Sequence, residues 1–188
     1  MNNNKIVTRP ASIDDSLIIA RVIAMAIGDE SGLRSYCGEE YIAVLNEIAR
    51  AEGTQYSYQN AIIAEYEGAV AGAIVGYDGA RLSELRCGTL SIIEEFTGRI
   101  PDIVDETEEG EYYLDSVAVL PRFRGLGIGT ALIKAFVERA FAEGAERVGL
   151  IVDKENPYAE ELYTSQGFVA VGERMFFNHE MRHLQKER

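Results

Sequence analysis

The spacing of apolar residues changes several times along the chain, and each change predicts an element. Lys5 to Arg9 is short and rich in β-branched residues; Pro10 and then Ser12-Ile13-Asp14-Asp15 supply the S-x-x-D pattern of a helix start. A strand and a helix running to about Gly28 follow from this. After a polar, glycine-containing stretch to Gly38, Tyr41 to Ala51 sets Ile42, Leu45, Ile48 and Ala49 at helical spacing. Ala61 to Tyr66 and Val70 to Tyr77 read as an antiparallel hairpin, turned at Glu67-Gly68 and ended by Asp78-Gly79. Leu82, Leu85, Leu90 and Ile93 predict a helix over Arg81 to Phe96, with Gly88 counting against it. Gly98 to Gly110 carries Asp102, Asp105, Glu106, Glu108 and Glu109 with few apolar residues, and reads as a solvated acidic loop.

In the second half, Glu111 to Leu120 is the expected central strand. Thr130 to Glu143 is an almost wholly apolar helix whose Lys134 and Glu138 mark a narrow wet edge, closed by Gly144. Arg147 to Val152 fits a buried strand. Asn156-Pro157 supplies an N-cap and a proline at the first helical position, Ala159, Leu162 and Tyr163 share a face, and Gly167 closes this helix. Phe168 to Val171 and a stretch around Phe176 to Leu184 read as the last strands. No internal repeat or linker divides the chain, so one α/β domain over residues 1–188 is expected, long enough for a single buried core.

Composition narrows the partners. The chain is 47% hydrophobic and 26% charged, with a formal net charge of −13, which argues against nucleic acid and against anionic membranes. No apolar run approaches the roughly 20 residues of a membrane helix, and the start lacks a signal peptide's apolar stretch, so a cytoplasmic protein is expected. Cys37 and Cys87 lie in no metal-ligand spacing and read as free thiols; no metal is expected. One island departs from the acidic background. Ser116 to Val137 contains no Asp or Glu but carries Arg122, Arg124 and Lys134, which suggests an anionic ligand.

That island contains Asp115-Ser-Val-Ala-Val-Leu-Pro-Arg-Phe-Arg-Gly-Leu-Gly-Ile-Gly-Thr130, a strand running into a glycine-rich turn before a long helix. Glycines at 125, 127 and 129 let backbone N–H groups turn toward a phosphate, and the helix start adds its dipole. A P-loop would need a lysine directly after the last glycine, and a dinucleotide turn would need glycine where Thr130 stands. Neither pattern is met.

Arg122-Phe-Arg-Gly125-Leu-Gly127 instead resembles the [QR]-x-x-G-x-[GA] signature of the GNAT superfamily of acetyl-CoA-dependent N-acetyltransferases. Val117-Ala118-Val119 before it is similar to that family's pantetheine-binding strand. Asn156-Pro-Tyr-Ala159, Leu162-Tyr163 and Gly167-Phe168 after it are similar to its second motif, and Thr8 to Asp15 and His179-Glu-Met181 are typical of its ends. The resemblance implies an α/β (α+β) fold: a central mixed, mostly antiparallel sheet of six to seven strands, splayed at the acetyl-CoA site, with helices on both faces. It implies transfer of acetyl from acetyl-CoA to a primary amine of a small molecule or peptide. A CoA-binding sensor, another acyl-CoA donor and an O-acceptor stay open, as does a homodimer.

Carried over residue by residue, the resemblance implies backbone pairing of Val117, Ala118 and Val119 with pantetheine. It implies a pyrophosphate held by Arg122, Arg124, Gly125, Leu126, Gly127, Ile128, Gly129 and Thr130. Asn156 would contact the pantetheine arm, and Tyr163 would protonate the leaving thiolate. Strand alternation sets Glu111, Tyr113, Asp115, Val117 and Val119 on one face. The family often has Glu six residues before the position of Val119, where this chain has Tyr113. The base therefore stays open between Asp115, Glu111, Tyr113 and a water chain; Asp115, with a reference pKa near 3.9, would need burial to serve. The acceptor site is expected at Asp29 to Glu40 and Met175 to His179, where Asp29, Glu30, Glu39 and Glu40 suit a cationic acceptor.

Overall fold

The computed structural model describes residues 5–176 and 179–188. Among these residues the chain forms β1 (Ile6–Pro10), α1 (Ser16–Ile27), α2 (Glu30–Cys37), α3 (Tyr41–Arg50), β2 (Ala61–Tyr66), β3 (Ala69–Asp78), α4 (Leu82–Thr97), β4 (Tyr112–Val119), α5 (Ile128–Ala142), β5 (Arg147–Asp153), α6 (Pro157–Ser165), β6 (Val169–Phe176) and β7 (His179–Glu187). The strands make one open seven-stranded sheet in the order β1-β2-β3-β4-β5-β7-β6, antiparallel throughout except between β4 and β5.

Local chemistry explains the early elements. Asp15 accepts hydrogen bonds from Ser12 N–H (2.8 Å) and Ser12 Oγ (3.0 Å), which closes the turn that starts α1. Arg9 pairs with Asp15 (2.7 Å) and Glu65 (2.8 Å), so one guanidinium ties β1 to β2 and to the helix start. Glu67 and Gly68 both have positive φ, 51° and 83°, as a two-residue I′ hairpin turn requires.

Alternation then divides the core between the two faces of the sheet. Ile63, Ala73 and Val75 pack under α1 and α3 against Ile19, Ile23, Leu45 and Ile48. Ile62, Ile74, Leu114, Val148 and Leu150 face Leu132, Ile133 and Phe136 of α5 on the other side. Helices thus cover both faces.

Four expectations need correction. The polar stretch after Gly28 is a helix, α2, capped by Asp29, whose Oδ1 accepts from Ser31 N–H at 3.0 Å, and braced by Arg34 with Glu30 at 2.6 Å. The acidic segment 98–110 is not solvated throughout, because Glu106 and Thr107 are buried. The last strands run longer than expected, over Val169–Phe176 and His179–Glu187. Residues 177 and 178 of the expected acceptor segment lie outside the described residues.

The fourth correction concerns β4. Val75 pairs with Ser116 and Gly76 with Leu114, so Asp115 is the extra residue of a β-bulge. The single face expected for Tyr113, Asp115, Val117 and Val119 is broken there. Tyr113 packs with Tyr77, Leu82 and Leu85, whereas Val117 and Val119 join the α5 cluster. Gly76 makes the register affordable: a Cβ there would lie 2.2 Å from Tyr113 O and 2.3 Å from the Phe136 ring. Gly88, the glycine that counted against α4, has a similar cause, since its Cβ would lie 2.3 Å from Gly53 O.

Gly76→Ala is expected to destabilise the fold by about 2 kcal/mol or more through overpacking against backbone. Chemical denaturation measures this, and wild-type stability would show that the bulge tolerates a side chain.

Candidate active site

The parallel pairing of β4 and β5 lasts for two residue pairs, Tyr112 with Val148 and Tyr113 with Gly149. Beyond them β4 stays with β3 and β5 with β7. A cavity of about 790 Å³ opens at this divergence. Of the residues expected from sequence, Asp115, Val117, Ala118, Val119, Arg124, Asn156 and Tyr163 line it together. Arg122, Gly125, Leu126, Gly127, Ile128, Gly129 and Thr130 do not line it; they form the turn after β4 and the start of α5.

That turn has the properties of an anion cradle. Gly125 and Gly127 have φ of 75° and 80°, and nothing lies within 4 Å of a Cβ built on either. The α5 ladder begins with Ala131 N–H donating to Gly127 O at 3.1 Å, so the amides of Ile128, Gly129 and Thr130 precede it. Side chains contribute unequally. Ile128 is buried in the core, Leu126 is exposed, and the Arg122 guanidinium stacks 4.7 Å from the Phe123 ring centroid. Asn156 caps α6 by accepting from Ala159 N–H at 3.1 Å, so both the plain cap and a place on the cavity wall are true of it.

Across the cavity lie residues that sequence reasoning missed. Glu106 Oε1 accepts from Tyr77 OH at 2.7 Å and Gln55 Nε2 at 2.8 Å, while Arg86 donates to Glu106 Oε2 and to Asp105. Gln55, Tyr56, Arg86 and Glu106 all line the cavity, as does Tyr36 from the expected segment Asp29 to Glu40. Antiparallel pairing of β3 with β4 sets Tyr77 opposite Tyr113, the one part of this cluster that the expected hairpin and central strand could have signalled. Nothing local marks Gln55, Arg86 or Glu106, which come together from segments far apart in the chain.

This cluster sets the electrostatics of Asp115. Burial, followed by the nearby Glu106 carboxylate, pushes its pKa up to about 7, against the pull of hydrogen bonds from Ser116 and Tyr77 and of the Arg86 charge. Ser116 Oγ donates to Asp115 Oδ1 at 2.8 Å, and Tyr77 OH stands 3.4 Å from Oδ2. On the opposite wall, burial pushes the Tyr163 phenol up to about 12, and its ring meets Phe168 edge-on at 6.0 Å. Tyr113 also lines the cavity, its phenol likewise driven well up by burial.

Glu111 stands apart. Thr107 Oγ1 (2.7 Å), His183 Nε2 (2.8 Å) and Gln185 Nε2 (2.8 Å) surround its buried carboxylate, and it does not line the cavity. Burial alone would raise its pKa, but the three hydrogen bonds and the His183 charge together hold it below the usual glutamate value. Among the described residues no group of three or more His, Cys, Asp or Glu side chains could hold a metal ion, and no helix is long and apolar enough to cross a membrane. Cys37 is buried and Cys87 exposed, both as free thiols.

The acetyltransferase (GNAT) family model matches residues 32–168. The chain therefore belongs to that family, whose acyl donor is acetyl-CoA. A crystal structure of an acetyltransferase is 32% identical, with a TM-score of 0.81 over 96% of this chain and 98% of that one. An N-acetyltransferase from Staphylococcus aureus Mu50 is 26% identical, with a TM-score of 0.81 over 96% of this chain and 100% of that one. An uncharacterized N-acetyltransferase of Bacillus subtilis (strain 168), YobR, is 35% identical over 97 residues; the match covers 52% of this chain and 32% of that relative.

A carboxyl whose pKa is higher folded than unfolded favours the native state below the unfolded value, and that advantage is lost as pH rises toward the folded value. For Asp115 the window runs from about pH 4 to the folded value of about 7. Asp115→Asn is therefore expected to gain melting temperature relative to wild type across that window. A difference that stays constant with pH would mean that Asp115 titrates normally.

Proposed function

We propose that this chain is an acetyl-CoA-dependent N-acetyltransferase, one domain over residues 1–188, acting on a primary amine in the cytoplasm. The observation that carries the reading is the pair of titratable groups on opposite walls of the strand divergence. Asp115 is poised near neutrality and Tyr163 is held protonated. The site also fits the donor. The edge of β4 beyond Tyr113 is free of β5, as an arm that pairs like an added strand requires, and the glycine turn leaves amides and open space for a pyrophosphate.

Acetyl-CoA supplies an activated thioester: the bound ammonium gives up one proton, the amine nitrogen bonds to the carbonyl carbon, the carbon–sulfur bond breaks, and the nitrogen releases a second proton, which replaces the one the thiolate takes up. Within that balance Asp115 receives the proton of the bound ammonium, directly or through water, because a pKa of about 7 lets it do so near neutral pH. Tyr163 keeps its proton until the thiolate forms and then gives it up to sulfur. Backbone N–H and C=O groups of Val117 and Val119 orient the arm, while Arg124 and the α5 amides hold the phosphates.

The test is incubation with acetyl-CoA and a panel of primary amines, followed by thiol release. Acetyl-CoA alone should raise the melting temperature, since ligand that binds only the native state stabilises it. Gly129→Glu should remove that shift without straining the fold, because the Gly129 Cβ position meets only ordinary contacts of 3.7 Å and 3.8 Å. Tyr163→Phe should retain the shift while kcat falls about 10- to 1,000-fold. No shift at millimolar acetyl-CoA would defeat the reading, and full activity in Tyr163→Phe would remove the phenol from the mechanism.

A further inference from the structure

The end of the cavity that holds Asp115 is one positive charge short. Asp115, Glu106 and Arg86 meet there, two carboxylates against one guanidinium, and Arg86 also pairs with the exposed Asp105. Glu106 takes hydrogen bonds from Arg86, Gln55 and Tyr77, and the single Tyr77 proton lies nearer Glu106 (2.7 Å) than Asp115 (3.4 Å). Asp115 is left with Ser116 as its close donor.

Gln55 makes the deficit specific. The residue is only 2% exposed, and its Nε2 donates to Tyr77 OH (2.9 Å) and to Glu106 (2.8 Å). Those bonds fix the amide orientation, because a flip would set its oxygen against the Glu106 carboxylate. Gln55 Oε1 then has no hydrogen-bond partner among the described residues, although buried carbonyl oxygens are ordinarily satisfied. An unmatched acceptor and an uncompensated carboxylate, on side chains linked through the Tyr77 hydroxyl, call for a ligand that brings both N–H donors and positive charge.

The rest of the lining indicates what the cation carries. Met25, Ile27, Leu33, Ile103, Phe176 and Met181 line the same cavity. The basic side chains on the cavity wall are engaged elsewhere: Arg86 with two carboxylates, His179 Nδ1 with Asp153 at 2.8 Å, and Arg124 at the turn after β4, its Nε 3.4 Å from Val119 O. Arg86 Nε has no hydrogen-bond partner among the described residues, but the charge of that guanidinium is already shared by Glu106 and Asp105, so it offers no uncompensated positive charge to a carboxylate beside the amine.

We infer that Gln55 is an acceptor-binding residue whose Oε1, together with Asp115, receives the N–H groups of a primary ammonium bearing an apolar substituent and no adjacent carboxylate. This rests on the acetyl-transfer reading, which makes this end of the cavity the acceptor end. Glu106, Tyr77 and Arg86 act as positioning groups that hold the Gln55 amide in place.

Phenethylamine and phenylalanine differ by one carboxylate and serve as probes. Binding of each to the whole protein, with and without CoA, is followed by calorimetry, and turnover with acetyl-CoA by thiol release. Wild type should bind phenethylamine and discriminate against phenylalanine by about 100-fold or more, the scale set by a desolvated, unpaired charge. Gln55→Leu should weaken phenethylamine binding about 10- to 100-fold, as expected for a hydrogen bond to a charged group, with acetyl-CoA affinity unchanged. Gln55→Asn, which keeps the amide and with it both an acceptor oxygen and a donor, should bind phenethylamine better than Gln55→Leu does. No binding of phenethylamine by wild type, equal affinity in Gln55→Leu, an Asn variant no better than the Leu variant, or preference for phenylalanine would each overturn the inference. A protein that binds acetyl-CoA yet favours phenylalanine leaves the acetyl-transfer reading standing. One that binds phenethylamine through Gln55 but never acetyl-CoA supports the amine site and defeats that reading.

Discussion

Everything at the site depends on the brevity of one parallel pairing. β4 and β5 share two residue pairs and then separate, because β4 remains bonded to β3 while β5 remains bonded to β7. A sheet that stayed zipped would have no cavity, and an unsupported gap would leave strand edges and core atoms exposed. Here helices support the gap: α5 packs on one face with Phe136 and Leu132, α1 packs on β4 from the other, and α6 stands by β5 with Tyr163 against Phe168. Glu111 anchors the last joined rung by bonding across to His183 and Gln185 of β7, so the strands part just beyond a buried polar tie.

The bulge at Asp115 converts that gap into chemistry. An unbroken β4 would carry Asp115 on the same side as Val117 and Val119, in the apolar cluster under α5. The extra residue turns it instead toward Tyr77, Glu106 and Ser116, where burial and a neighbouring carboxylate raise its proton affinity. Tyr163, on a helix start fixed by Asn156 and Pro157, reaches the cavity from the other side.

Legibility followed the range of the interactions. The glycine turn and the α6 wall could be read because their devices are local: glycines with positive φ ahead of α5, an Asn-Pro start to α6, and a strand that leads straight into both the turn and the helix. The cluster around Glu106 could not. Glu106 lies in a run of carboxylates and differs from them only because Gln55, Tyr77 and Arg86 converge on it. α2 was hidden by its eight-residue length and by Gly32, and owes its form to Asp29 and to the Arg34 ion pairs. The bulge leaves no trace in apolar spacing, since Asp115 and Ser116 are both polar and only the register against β3 reveals the inserted residue.

Gly88 lets the backbone at Gly53 approach α4 closely, and the next residues then dock, with Thr54 Oγ1 on Ile48 O (2.8 Å) and Gln55 N–H on Thr89 Oγ1 (3.0 Å). Replacing a mid-helix glycine by alanine is a standard route to a sturdier protein, worth about 1 kcal/mol where nothing is close by. At this position the close contact with Gly53 O outweighs helix propensity. A library screened for heat tolerance and one screened for turnover should therefore both keep glycine at 88, in the helix behind the cavity wall.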